Sequence, residues 1–458
     1  MLFSSPIFFG FLAVFLVLYA TIRPDWRPAL IILASTVFYG YWNVSYVGIP
    51  FLIAAMAYVL AIWISEAEPS RRRLRLALAI AIMLTPLVVF KYANFIARQF
   101  GVEGAIVTSA LPLGISFVSF TLIAYVVDVY RGDYPCSRSP RDLLAFTLFF
   151  PHLIAGPILR PAELMPQFQG LPSVAWRNLV LGLAIFTVGL FKKLVIADPV
   201  GGFVDAVYRS PSTADQLSSV VAIYGFPVQI YCDFSGYTDM AIGVALMIGV
   251  KLPNNFSRPY AAASIIDFWR RWHITLSHWL RDYIYIPLGG NRSGQHRQNG
   301  NMLATMLLGG LWHGANWTFV IWGGLHGVAL VVNHALRRVG GIPFYGRLPR
   351  VLRAIIFFQF VALLWVFFRA PDVGAVWKIV SGVGRPAPDL ALFLDANAFV
   401  LAAIGLFFVT HHLDDHRRII YLVRRWGAPV AMAVMAIVWI VAISVSTGSS
   451  GKFVYFDF

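Results

Sequence analysis

Charge is scarce in this sequence. Asp, Glu, Lys and Arg together make up 12% of the 458 residues, against roughly a quarter in an ordinary soluble domain, and that shortfall excludes a soluble protein. Cysteine is nearly absent: Cys136 and Cys232 stand far apart in no metal-like spacing, which argues against a disulfide framework and a cysteine-based metal site. There is no GxSxG elbow and no Walker-type phosphate loop. Internal repeats of the kind that mark many secondary transporters are missing, as are low-complexity linkers. No basic n-region precedes the apolar stretch from Met1 to Ile22, so it reads as a retained first span and not as a cleaved signal peptide.

What is there is apolar. Hydrophobic residues make up 59% of the chain and the mean hydropathy is +0.72. A helix needs about 20 mostly apolar residues to cross the hydrocarbon core of a bilayer. Twelve apolar stretches can be marked, among them 49–65, 178–197, 218–250, 302–336 and 428–447. Some are too long for one crossing, so about 11 to 13 membrane segments are expected, some broken or re-entrant. The fold class is an all-α polytopic membrane protein. Residues 1–458 are read as a single membrane domain, a packed helical bundle with central re-entrant segments around a cavity.

Lys and Arg number 36 against 21 acidic residues, a net charge of +15. In a membrane protein this excess is the mark of cytoplasmic loops, so membrane lipid and not nucleic acid is the expected partner. Arg23 and Arg27 precede a short hairpin and Arg71, Arg72, Arg73 and Arg75 follow it, while the turn 43–48 carries no base. Two crossings place both basic segments on the cytoplasmic side and Met1 outside.

Three segments carry candidate chemistry. In DFWRRWHITLSHWLRD, residues 267–282, Asp267, Arg270, Arg271, Ser277, His278, Arg281 and Asp282 recur at helical spacing opposite a stripe of Phe268, Trp272, Leu276, Trp279 and Tyr283. This predicts one amphipathic helix, either a plain interface anchor or a helix whose Arg270, Arg271 and Arg281 hold an anionic cofactor. A phosphate-bearing acyl carrier such as coenzyme A suits such guanidinium forks. The breakers Pro287, Gly289 and Gly290 then lead into a polar loop that can border a cavity.

In GGLWHGANWTFVIWGGLHG, residues 309–327, His313 and His326 stand among Trp312, Trp317 and Trp322. An ionisable residue at membrane depth is a functional candidate. On a continuous helix Asn316 would share the face of His313. An apolar site favours neutral imidazole, which can act as a general base toward an attacking hydroxyl; the competing reading is a structural histidine bonded to a neighbouring helix.

Elsewhere, His411, His412, Asp414, Asp415 and His416 form HHLDDH, read as a solvated polar loop in preference to a metal site. In YCDFSGYTD, residues 231–239, Asp233 and Asp239 lie in a long apolar stretch, as a proton relay would, or as capping of a helix broken at Ser235 and Gly236.

Six blocks, among them FFPHLIAGPILRPAELMPQ (149–167), CDFSGYTDMAIG (232–243), FSRPYAAASIIDFWRRWHITLSHWLRDYIYIPLGGNR (256–292) and LLGGLWHGANWTFVIWGGLHG (307–327), resemble the membrane-bound O-acyltransferase family, most closely its bacterial alginate O-acetylase branch. The likeness runs through about residues 110–330. It implies an enzyme of the bacterial inner membrane with no permanently bound cofactor and no metal, taking acetyl from cytoplasmic acetyl-CoA. It further implies a polysaccharide acceptor and a periplasmic or surface acetyltransferase partner that completes the transfer. The family's essential histidine carries over to His313, with Asn316, His326 and Trp312 in supporting places. The related D-alanine branch has a further histidine where FFQFVALLWVFFRA places Gln359, a departure that argues against D-alanine export and against a two-histidine mechanism. The ending KFVYFDF is similar to the aromatic C-termini of the branch; interfacial anchoring explains it equally well. A transporter or flippase without acyl chemistry is the alternative.

Overall fold

The computed structural model describes residues 1–102, 104–154, 156–292, 294–341, 343–446 and 453–454. Among these residues every regular element is helical. That is the outcome lipid enforces, because a helix satisfies its own backbone where no water can. Among the described residues seven helices are long and apolar enough to cross a membrane, or eight if the pair Leu390–Ala396 and Ala398–Leu413, bent by 76°, is one broken span. This is fewer than the 11 to 13 segments expected. The shortfall arises because several apolar stretches fold as helices of 16 residues or fewer, such as Pro6–Thr21 and Arg27–Gly40.

The chain divides into two units: Met1–Phe186 with Tyr237–Asn254, and Thr187–Gly236 with Asn255–Phe458. In the first, α1 (Pro6–Thr21), α2 (Arg27–Gly40), α3 (Gly48–Ser65), α4 (Pro69–Leu87), α5 (Ile115–Arg131) and α6 (Pro140–Leu148) carry most of the structure. Proline at the first turn opens α1, where the Ser5 hydroxyl accepts from the Phe8 amide at 3.4 Å. Phe3, Phe8, Phe38 and Phe150 pack ring on ring beneath it. Arg27, read from sequence as a loop charge, is buried instead: it donates to the Leu171 carbonyl at 2.8 Å and covers the Tyr19 ring.

Two long helices run through the division: α7 (Trp176–Phe191), which continues through a π-turn at Lys192–Ala197 into α8 (Asp198–Arg209), and α9 (Gln216–Met247). α9 is unbroken through Ser235 and Gly236, so the break expected there does not occur. The second unit then adds α10 (Ile265–Trp269), α11 (Ile274–Leu280), α12 (Gln295–His313), α13 (Trp317–Arg338), α14 (Arg350–Arg369), α15 (Val373–Gly382), α16 (Ala398–Thr410), α17 (His416–Trp426) and α18 (Ala428–Val445). Its core is unusually aromatic: Trp272, Trp322, Trp365, Phe226, Phe268 and Phe368 are all essentially inaccessible.

Candidate active site

α12 and α13 form a tight hairpin. A Cβ on Gly310 would lie 2.3 Å from the Phe319 carbonyl oxygen, and one on Gly323 would lie 2.3 Å from that of Met306, so the two backbones touch only because both residues lack a side chain. The hairpin turns at Gly314, whose extended backbone ends α12 directly after His313. The Phe319 ring folds back over Gly314, leaving no room for a side chain there.

This turn corrects the expectation for Asn316. It does not share a helix face with His313, because the helix has already ended. Instead it caps α13, its Oδ1 accepting from the Thr318 amide at 3.1 Å, while its Nδ2 donates to the Pro371 carbonyl at 2.7 Å. It braces the turn that presents His313.

His313 is 3% exposed and enclosed by aromatic rings. The centroids of Trp312, Phe368 and Trp322 lie 4.9, 5.0 and 5.2 Å from its own. Trp322 is a shared wall, since its ring also lies 4.6 Å from that of His326. Phe268 at 5.9 Å and Trp269 at 5.2 Å complete the enclosure of His326, and neither of its ring nitrogens meets a hydrogen-bond partner among the described residues. A buried imidazole without partners is rare enough to need a reason.

The third histidine of this cluster was not singled out from the sequence. His273 is fully buried, with its ring 6.5 Å from that of His313 and 5.9 Å from that of Trp312. Its backbone is left-handed, φ +41°, a costly conformation for a residue with a Cβ and one that clusters at functional sites. The Nδ1 of His273 lies 3.1 Å from the Asn255 Oδ1, and that same oxygen accepts from the Thr275 amide and hydroxyl. A backbone N–H can only donate, so the Asn255 atom is oxygen and His273 Nδ1 must carry the proton. Its Nε2 is then a bare lone pair, buried and without a partner among the described residues.

The left-handed turn at His273 also breaks the predicted amphipathic helix. Residues 265–269 and 274–280 are separate helices, followed by a π-turn at 281–285, and Phe268, Trp272 and His273 are interior. The segment is therefore no interface anchor. One signal pointed there: on the predicted helix His273 flanks the apolar stripe, where a polar side chain has no business unless it is used.

The three candidate arginines separate. Arg270 and Arg281 line a cavity of about 650 Å³ whose rim also carries His278, His334 and Arg337. Arg281 is engaged by Asp282 at 2.7 and 3.1 Å, whereas Arg270 and Arg337 have no ion-pair partner among the described residues. Arg271 is not on the cavity; it donates to Asp267 at 2.7 Å and to the Ser257 carbonyl at 3.2 Å. Trp269 and Met306 also line the cavity, and Trp269 is a wall of the His326 enclosure. Met306 lies seven residues before His313, about 10 Å along α12.

A second buried polar cluster gathers around Lys192 and Lys193. Lys193 bridges Asp233 at 2.7 Å and Asp198 at 2.8 Å, and Lys192 meets Asp414 at 2.6 Å, which also accepts from the Tyr231 hydroxyl at 2.5 Å. His411 Nε2 accepts from the Tyr260 amide at 3.3 Å. HHLDDH is thus no solvated loop: His411 and Asp414 are tied into the interior. Among the described residues no group of histidine, cysteine or acidic side chains could hold a metal. Asp239 is buried in the first unit. Gln359 is exposed on α14, accepting from the Tyr224 hydroxyl. Of the C-terminal KFVYFDF, only Phe453 and Val454 fall among the described residues; Phe453 is buried 5.9 Å from the Phe234 ring, and the Val454 amide donates to Asp233 at 2.6 Å.

Residues 137–370 match the model of the membrane-bound O-acyltransferase family. Among curated proteins, the chain is 42% identical over 396 residues to "probable alginate O-acetylase AlgI" of Azotobacter vinelandii, covering 84% of this chain and 78% of that one. It is 38% identical over 426 residues to the "peptidoglycan O-acetyltransferase" of Helicobacter pylori, covering 84% and 80%. A more distant likeness, 30% over 245 residues, joins it to the "teichoic acid D-alanyltransferase" of Streptococcus thermophilus, covering 49% and 57%. With its membrane-crossing helices, its buried histidine cluster and these relatives, the chain is a multi-pass membrane acyltransferase and belongs to the membrane-bound O-acyltransferase family.

Proposed function

We propose that this acyltransferase takes an acetyl group from cytoplasmic acetyl-CoA and passes it across the bacterial inner membrane for O-acetylation of an extracytoplasmic polysaccharide such as alginate, with the whole chain working as one catalytic domain. A periplasmic or surface partner makes the final transfer. The observation that carries the reading is the pairing of His313, buried in an aromatic enclosure, with an arginine-edged cavity that the same helix, α12, lines through Met302 and Met306. The acetylase names of the relatives support the acetyl group and the polysaccharide acceptor.

In this reading Arg270 takes coenzyme A phosphate oxygens, with Arg281 and Arg337 on the same rim; Arg271 serves only to tie its segment to Asp267. The acyl arm runs past Trp269 and Met306 toward His313. There neutral His313 accepts the proton of an attacking hydroxyl as its oxygen bonds to the thioester carbonyl. The carbon–sulfur bond breaks, and the leaving thiolate takes that proton back. Exclusion of water by Trp312, Trp322 and Phe368 protects the thioester from hydrolysis and strengthens every polar contact inside. His273, its Nδ1 held by Asn255, offers Nε2 as a second proton acceptor beside His313, so the pair needs no histidine at position 359.

The test uses purified protein in nanodiscs with radiolabelled acetyl-CoA, following coenzyme A release with and without a periplasmic extract. Release that requires His313 and label that enters polysaccharide support the reading. Binding of acetyl-CoA without release under either condition from the intact chain and its partners, or no binding at all, contradicts it.

A further inference from the structure

Residues 267–282 were one candidate for a helix lying along the membrane interface, and the structure carries another helix with two sharply divided faces. It is α17, HRRIIYLVRRW, residues 416–426. At 100° per residue, Arg417, Arg418, Tyr421, Arg424 and Arg425 fall on one face, and Ile419, Ile420, Leu422, Val423 and Trp426 on the other. The exposure follows that division: the four arginines and Tyr421 are all exposed, while Ile419, Ile420, Leu422 and Val423 are half-buried.

Two independent features fix where this face sits. Gly427 turns the chain from α17 directly into α18, a candidate span only 17% buried inside the protein, whose Val430, Ile437, Ile440 and Ile443 are more than half exposed and so face lipid. α17 therefore lies at the end of a membrane crossing, at headgroup depth, with the exposed Trp426 at the junction as interfacial aromatics prefer. The four guanidiniums, moreover, have no ion-pair partner among the described residues; Arg425 reaches only the Tyr421 hydroxyl at 3.5 Å. The adjacent acids are committed elsewhere. Asp414 holds Lys192 and Tyr231, and Asp415 caps α17 at the Arg417 amide and faces Arg258.

We propose that the arginine face of α17 is a binding site for the phosphate headgroups of anionic phospholipids, which hold the helix flat on its leaflet. A basic amphipathic helix beside a span gains roughly fivefold in affinity for an anionic surface per Lys or Arg near it. The lipid is named by its chemistry: a phosphodiester headgroup with net negative charge, presented on a bilayer.

The experiment counts lipids on the intact chain by native mass spectrometry after titration with phosphatidylglycerol or phosphatidylcholine. The wild-type chain should retain phosphatidylglycerol in preference. The variant carrying Arg417→Gln, Arg418→Gln, Arg424→Gln and Arg425→Gln should bind it at least about tenfold more weakly, with phosphatidylcholine unchanged. The two double variants, Arg417→Gln/Arg418→Gln and Arg424→Gln/Arg425→Gln, should each lose part of the affinity, which keeps the test open if the quadruple variant fails to fold. Lysine at all four positions should restore most of the binding. Equal retention of the two lipids by the wild-type chain, undiminished phosphatidylglycerol binding by the glutamine variants, or displacement by millimolar inorganic phosphate overturns the proposal.

Discussion

The second unit buries two polar clusters, and they are built on opposite rules. Around Lys192 and Lys193 every charge meets an opposite charge at 2.6 to 2.8 Å. Around His313 the walls are the rings of Trp312, Trp322 and Phe368. A buried charge is tolerated only when paired, so the lysine cluster is closed to further chemistry and serves to fasten α7, α9 and the segment after α16 together. A neutral imidazole costs less to bury. His273 and His326 keep ring nitrogens without partners among the described residues, as groups that await a substrate do. In the reading proposed above, the complete pairing fastens the fold and the ring-walled histidines carry the reaction.

The sharpest way to break this contrast is to remove the base. His313→Ala should lower acyl transfer by about 10²- to 10⁴-fold in protein that still folds, with a fall in melting temperature set only by the cavity it leaves, read from coenzyme A release and a thermal melt on the same preparation. The converse change is Lys193→Met, which strands Asp233 and Asp198. Breaking a buried pair from one side costs about 3–5 kcal/mol, so a fall in folded yield and melting temperature is expected. Residual folded protein should retain per-molecule activity far better than His313→Ala.

Smaller effects sharpen the picture. Asn255→Ala frees Nδ1 of His273 and should reduce the rate by about fivefold with little change in donor KM; loss of a hydrogen bond to a neutral partner is worth about 1 kcal/mol. A change confined to stability, with kcat untouched, would reduce His273 to a packing residue. Arg270→Gln removes one of the two cavity guanidiniums that have no ion-pair partner among the described residues and should raise the KM for acetyl-CoA by about tenfold at constant kcat, measured by initial rates against donor concentration. At the α12–α13 crossing, Gly310→Ala drives a methyl against the Phe319 carbonyl and should cost about 1–3 kcal/mol, seen as a lower melting temperature.

What the sequence made legible was whatever a local pattern carries. Low charge and long apolar stretches sufficed for the helical membrane class, and His313 stood out because an ionisable residue among tryptophans is conspicuous. His273 was hidden because 267–282 has a continuous helical period, and only the tertiary contacts of Asn255, Phe234 and Trp312 force the left-handed turn that buries it. For the same reason HHLDDH looked like a wet loop: its partners, Lys192, Tyr231 and Tyr260, lie some 150 to 220 residues earlier. Asn316 was misplaced by one local event, the end of α12 at Gly314. For 267–282 an interface anchor was one of two readings, and the structure buries Phe268, Trp272 and His273 instead, because amphipathic periodicity reveals two faces and says nothing of which environment each one meets.

The central claim, that the ring-walled histidines react while the paired lysines fasten, is tested most directly by one paired measurement. Coenzyme A release and thermal stability are recorded side by side for wild type, His313→Ala and Lys193→Met in the same nanodiscs. The account predicts that folded His313→Ala loses release and melts well above Lys193→Met, whereas Lys193→Met loses more stability and keeps release per folded molecule. Full release from folded His313→Ala, or a Lys193→Met protein that is stable but inert, would contradict it.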